Sequence, residues 1–181
     1  MEEGTSSALM QSGLDDVGWP QAMACYCFLK AVVDILDDDK TAFERRCGSS
    51  FSGPLTPFGA EITYLPITDK DKSRLHQFGS KVISGIFLGY EQQDGGGWSG
   101  DLLVLDWGEI ENASHFNDIH IKRFKQSEVN APKVGDNFRF PLAEGVIRQP
   151  GSDRSKAPRQ RKPAPKGAGG DPRLARGRIP R

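Results

Sequence analysis

Apolar residues recur at intervals of three and four through residues 4–47, in short alternating or unbroken runs through residues 59–129, and without period after Phe140. The first pattern is that of helices with one buried stripe and the second that of strands. Residues 5–12 predict a short helix closed by Gly13. Asp15 and Asp16, followed by Pro20 at a first-turn position, predict the start of a second. Its stripe would be Trp19, Met23, Tyr26, Leu29, Val33 and Leu36. The run Asp37-Asp-Asp39 opposes the dipole at a helix C-terminus, so this helix is expected to stop there. Thr41 and Glu44 stand at capping-box spacing, and Gly48 is placed to close a third, short helix.

Residues 48–58 (GSSFSGPLTPF) have the composition of a linker. Strands are expected at Ile62-Thr-Tyr-Leu65, Lys81-Val-Ile-Ser-Gly-Ile-Phe-Leu-Gly-Tyr90, Leu102-Leu-Val-Leu105 and Ile119-His-Ile-Lys-Arg-Phe124. Gly85 and Gly89 suggest a bulge or bend inside the second, and Gly95-Gly-Gly97 a turn after it. Several short strands with glycine kinks predict a small, strongly bent sheet or barrel. The fold class expected is therefore α+β: helical residues 1–47, a linker at 48–58, a β module at 59–129, and a disordered basic tail at 130–181. Within that tail, residues 148–181 hold few large apolar side chains and much Pro, Gly, Arg and Lys, too little to offset the entropy of ordering.

Composition sharpens this division. The chain has 181 residues, 36% hydrophobic, with 21 Gly and 12 Pro and a mean hydropathy of −0.52. No stretch approaches the roughly 18 apolar residues of a membrane span, and the acidic start MEEGTSSALM is unlike a secretory signal. The expectation is a soluble intracellular protein with no membrane partner. A net charge of zero conceals an asymmetry: residues 148–181 hold eleven Lys or Arg and two Asp, a net of +9, so residues 1–147 carry −9. An acidic body with a basic tail points toward nucleic acid or an acidic partner. The segment Lys156-Ala-Pro-Arg-Gln-Arg-Lys162 also has the composition of a nuclear-import signal.

Catalytic constellations are not apparent. Cys25 and Cys27, two apart in a helix, face different ways, and with Cys47 they read as small side chains in a reducing compartment. Asp101, Asp106, Glu109 and Glu111 are the densest strand-associated carboxylates, and they read as a solvated acidic rim rather than a metal site. None of His76, His115 and His120 stands at ligand spacing to a cysteine. No serine lies in a nucleophile elbow, and Gly95-Gly-Gly97 lacks the setting of a phosphate loop. No catalytic residue, metal, cofactor or small-molecule substrate is expected. Binding remains. Lys122, Arg123 and Lys125 flank Phe124 as a candidate nucleic-acid patch, and the tail adds Arg159, Arg161, Lys162 and Lys166. Such contacts neutralise phosphates without reading sequence. Residues 59–129 nevertheless net −4, a poor DNA grip by charge alone. Among the aromatics Phe78, Phe87, Tyr90, Trp98 and Trp107, Trp98 in its glycine loop is the candidate exposed contact for a protein partner.

Several stretches also carry a resemblance. Glu3-Gly-Thr-Ser-Ser-Ala-Leu-Met-Gln-Ser-Gly-Leu14, Trp19, Ala24-Cys-Tyr-Cys-Phe-Leu29, Lys40-Thr-Ala-Phe-Glu44 and Phe51-Ser-Gly-Pro-Leu-Thr-Pro-Phe-Gly59 are similar to the Pol polyprotein of copia-type retrotransposons, just after the integrase catalytic core. So are His76-Gln-Phe-Gly-Ser-Lys81, Gly85-Ile-Phe-Leu-Gly-Tyr90 and Gly97-Trp-Ser-Gly-Asp101. The resemblance runs from about residue 3 to residue 150. It implies that residues 1–47 derive from the last helices of an RNase-H-like integrase core, and that residues 59–129 form an SH3-like barrel behind it. The family's catalytic carboxylates and zinc-binding domain would lie upstream. The resemblance thus implies a non-catalytic fragment whose ancestor took part in DNA integration, with nonspecific DNA and other Pol domains as partners. The alternative is an SH3-like protein-interaction module with no nucleic-acid role.

Overall fold

The computed structural model describes residues 1–75 and 79–150. Local signals set the helices. α1 (Glu2–Ser12) ends at Gly13, whose left-handed φ of 71° lets its N–H bond the Leu9 carbonyl. A 3-10 turn at Asp16–Gly18 leads into α2 (Trp19–Val33), with Pro20 in its first turn. α2 stops ahead of the Asp37-Asp-Asp39 run, at an extended Asp34 that also takes a 3.1 Å ion pair from Lys30. α3 (Ala42–Cys47) has the complete capping box: the Glu44 N–H donates to Thr41 Oγ1 (3.1 Å) and the Thr41 N–H to Glu44 Oε2 (2.9 Å).

Three further helical or strand groups follow. β1 (Glu61–Tyr64) precedes α4 (Asp69–Ser73), a short polar helix capped by Thr68. β2 (Ile83–Gln92) and β3 (Trp98–Asp106) form a long hairpin, and α5 (Trp107–Asn112) follows at once. Then come β4 (Ile121–Lys125), β5 (Val129–Asn130), and the small pair β6 (Lys133–Val134) and β7 (Asn137–Phe138). The main sheet is antiparallel in the order β4-β3-β2-β1-β5 and is open, with β4 and β5 as its outer strands. The protein is thus a mixed helix-and-sheet fold. No helix among the described residues is long and apolar enough to cross a membrane.

The sheet decides which side of α2 is buried. Two residues of β2, Leu88 and Gly89, stand against Leu103 alone, a bulge that kinks the strand, and Gly89 takes a φ of 151°. A Cβ there would lie 3.4 Å from Cys25 Cβ. Where the helix crosses the bulge the contact is made by the small residues Ala22 and Cys25, and one turn on Phe28 is buried against Tyr90, while Met23 is 44% and Val33 53% exposed. The expected stripe is therefore rotated, because the face of α2 that is buried is set by where β2 and its bulge lie.

Two segments expected to be irregular are packed. Phe51 lies against Phe28, Phe43, Tyr90 and Trp98 at ring separations of 5.0–5.7 Å. Phe58 is buried, and the Tyr90 hydroxyl donates to the Pro54 carbonyl (2.6 Å) while accepting from the Thr56 N–H (2.9 Å). Phe51, Pro54, Thr56 and Phe58 are thus part of the core wall, so the segment expected to be a linker is packed from residue 51 on, while residues 48–50 are exposed. Residues 130–150, assigned from the sequence to a disordered tail, are also ordered. The Glu61 N–H bonds the Arg139 carbonyl (2.8 Å), Leu142 and Ile147 are buried, and the Gln149 amide donates to the Gly13 carbonyl. A Cβ at Gly13 would fall 2.3 Å from the Ala143 nitrogen, so this loop rides directly over the end of α1. Its apolar residues lack period because they fill one seam each. Residues 151–181, the remainder of that expected tail, lie outside the described residues.

Candidate functional site

Alternation along two strands builds a charged cluster inside the sheet's rim. Leu102 and Val104 point into the core from β3, and the next position on that face is Asp106, which is fully buried. On β4 the residue opposite Val104 is Lys122, sharing the inward face with Phe124. Its side chain is only 16% exposed. Arg74, just past α4, forks onto Asp106 with Nη1 2.7 Å from Oδ2 and Nη2 3.0 Å from Oδ1. The Tyr64 hydroxyl of β1 donates to Asp106 Oδ2 as well, and the Glu109 N–H at the start of α5 donates to Oδ1 (3.1 Å). Lys122 Nζ completes the set at 3.1 Å from Asp106, 3.2 Å from Asp71 and 3.3 Å from Glu109. Thr68 holds Asp71 in turn, its hydroxyl 2.9 Å from Oδ2.

Burial alone would raise the Asp106 carboxyl, but hydrogen bonds from Arg74, Tyr64 and Lys122 reverse it and hold the group well below the usual carboxylate range. Asp71 follows the same logic, with Thr68 and Lys122 outweighing burial. Burial acts to lower Lys122, yet its bonds to Asp106 and Asp71 raise it. Tyr64 is pushed well up by burial and then by the Asp106 carboxylate it serves.

The expected solvated rim thus divides. Asp106 is the buried hub, Glu109 a partly exposed partner, Asp101 is paired with Lys125, and Glu111 is exposed. The period-two pattern of Leu102, Val104 and Asp106 carried the signal for Asp106. Nothing in the sequence marked Tyr64, Asp71 or Arg74. Chemically the cluster is closed: both Asp106 oxygens accept from cations or donors, and an ammonium sits where Asp71, Asp106 and Glu109 converge. Among the described residues no group of three or more His, Cys, Asp or Glu is placed to hold a metal ion. Burial pushes the Cys25 thiol up to about 12, whereas Cys47 is exposed.

The proposed nucleic-acid patch is not one surface. Lys122 faces inward and is spent on three carboxylates. Arg123 and Lys125 face outward on the opposite side of β4, paired with Glu91 of β2 (2.9 Å) and Asp101 of β3 (2.5 Å). Strand alternation, invisible when the three are read as a run, separates them. Trp98 is likewise no free contact: its ring packs tilted against Phe51 and edge-on to Tyr90, and its indole N–H donates to the Asp101 carbonyl (2.9 Å). Phe87 and Tyr90 are buried and Trp107 is half-buried. Phe78, His76 and the tail residues Arg159, Arg161, Lys162 and Lys166 lie outside the described residues.

A concavity adjoins the cluster. It is a groove of about 670 Å³ between β4 and the segment leading into α4, lined by Ile67, Thr68, Lys70 and Asp71 on one wall and by Ile121 and Phe124 among the β4 residues on the other. That volume falls within the range of ligand-binding clefts, roughly 300–1,000 Å³. Neither a family model, nor a curated protein, nor a solved structure matches the chain.

Proposed function

We propose that this chain is a non-catalytic derivative of the integrase region of a copia-type Pol polyprotein, an SH3-like sheet module that makes nonspecific contact with DNA through its basic C-terminal segment. The observation that carries this reading is the segregation of charge: eleven Lys or Arg against two Asp after residue 147, on a body of net −9. The pairing of Lys122, Arg123 and Lys125 with carboxylates moves the weight of the proposal from β4 onto Arg159, Arg161, Lys162 and Lys166. The closed Asp106 cluster, with no unengaged base, favours a module that binds over one that catalyses. Electrophoretic shift of a short duplex tests it. If about six phosphates are neutralised, affinity falls roughly a thousandfold between 50 and 200 mM salt. Removing residues 151–181 abolishes the shift. Salt-insensitive binding by the truncated body would overturn the proposal.

The second reading, an SH3-like protein-interaction module without a nucleic-acid role, is favoured by one observation, the groove beside the outer strand β4.

A further inference from the structure

α2 is apolar nearly all the way round: of its fifteen residues only Lys30 is charged. A helix of that composition is ordinarily enclosed on every side. Here the sheet and α1 cover part of it and leave Pro20, Met23, Ala24, Lys30 and Val33 exposed. Asp16, Pro20, Met23, Cys27 and Lys30 follow one another at intervals of four, three, four and three, the seam of a helix that packs against another helix. The 3-10 turn at Asp16–Gly18 runs straight into α2, so Asp16 extends the seam beyond the helix proper. Asp16, Met23 and Lys30 are exposed and Cys27 is half-buried. Met1, itself exposed, lies over Cys27 with its sulfur 3.6 Å from the thiol and widens the apolar middle.

We infer that this face of α2 pairs with the same face of a second copy of the chain, the two helices antiparallel about a twofold axis at Met23. The seam is its own complement. It is acidic at Asp16, apolar from Pro20 to Cys27 and basic at Lys30, and Met23 lies seven residues from each end. Seven residues are close to two turns, so the three stand nearly in line. Turned end for end about Met23, the seam sets each Asp16 beside the partner's Lys30 and apolar middle on apolar middle. A twofold contact requires that self-complementarity. Parallel pairing would set like charge on like. Lys30 already bonds Asp34 on its own helix (3.1 Å), with both side chains about half exposed, so the second copy's Asp16 joins a surface pair. The charges thus fix direction and register, while burial of Met1, Met23 and Cys27 supplies the affinity. Net charge does not oppose the pairing, since the full chain is neutral. Residues 151–181 are a poorer cover for the seam, holding only Leu174 and Ile179 as large apolar side chains.

Sedimentation equilibrium of the full chain, freed of nucleic acid with nuclease, tests this. The mass is expected to rise reversibly from 19.9 kDa toward twice that value as concentration passes about 100 µM, the weak range of a small interface. Met23→Glu, which opposes two carboxylates on the axis, should keep the chain at 19.9 kDa with its circular dichroism unchanged. Asp16→Lys and Lys30→Glu should each weaken the dimer about tenfold by placing like charges together. The two combined should restore it, a rescue that general stickiness would not show. A mass fixed at 19.9 kDa up to about 500 µM overturns the inference. So does a dimer indifferent to Met23→Glu, or one that the paired charge reversal fails to rescue. Dimers that form only before nuclease treatment, or only once residues 151–181 are removed, overturn it too. The mass of the unaltered chain decides the matter even if a variant fails to fold.

Discussion

Truncating Asp106 would leave Arg74 and Lys122 facing each other and would strip the Tyr64 hydroxyl of its acceptor. Breaking a buried ion cluster by removing one partner costs about 3–5 kcal/mol. Asp106→Ala should therefore lower the urea midpoint by that equivalent, while Glu111→Ala, on the exposed side of α5, should leave it unchanged. The same cluster sets an acid limit. Asp106 and Asp71 are held below their ordinary values near 4, so the unfolded chain takes up protons first. Their contribution is complete above about pH 5 and is lost as pH falls through the folded values. Chemical denaturation at descending pH should show that loss in the parent and a flatter profile in Asp106→Asn. Lys122, raised in the fold, adds the mirror effect, present below about pH 10 and lost above it.

Elements whose signals are local could be read directly from the chain. The Thr41–Glu44 capping box, the Gly13 and Gly48 stops and the kink at Gly89 all involve residues within a few positions of one another. The buried face of α2 was not legible, because it depends on where β2 and its bulge lie, and that is set by residues more than fifty positions away. At Gly89 the obstacle to a side chain is backbone conformation rather than space: a φ of 151° is unfavourable to any residue with a Cβ, although the nearest atom, Cys25 Cβ, would be at contact distance. Gly89→Ala should cost about 1–3 kcal/mol, seen as a lowered midpoint with an unchanged denaturant slope. An unshifted midpoint would mean that the bulge relaxes without penalty. α4 escaped the sequence reading for a further reason: DKDKS is polar throughout, and its purpose lies in positioning Asp71 and Arg74 rather than in burying a stripe.

For the molecule as a whole, the expected boundary between helical and sheet parts does not coincide with a boundary in packing. Leu9, Ala22, Cys25, Phe28 and Phe43 share one buried cluster with Phe87, Leu88 and Tyr90, and residues 139–149 tie the end of α1 to β1. A fragment of residues 55–130 would uncover Phe87, Leu88 and Tyr90 together. Its heteronuclear NMR spectrum should be poorly dispersed where that of residues 1–150 is well dispersed; a well-dispersed fragment would show that the sheet is self-sufficient. The tie was illegible because the residues making it, Leu142, Ile147 and Gln149, obey no period. Asp106 and Lys122 could have been paired from their inward positions on adjacent strands, but Arg74 could not. This long reach has a temporal side. Tyr64, Asp71, Arg74, Asp106 and Lys122 converge only when β1, β3, β4 and α4 are all in place. Contacts of that kind are expected to form late in folding, so Asp106→Ala should speed unfolding and leave the folding rate nearly unchanged, as the two arms of a chevron plot would show. The ion cluster would then act as a latch on the lifetime of the folded protein.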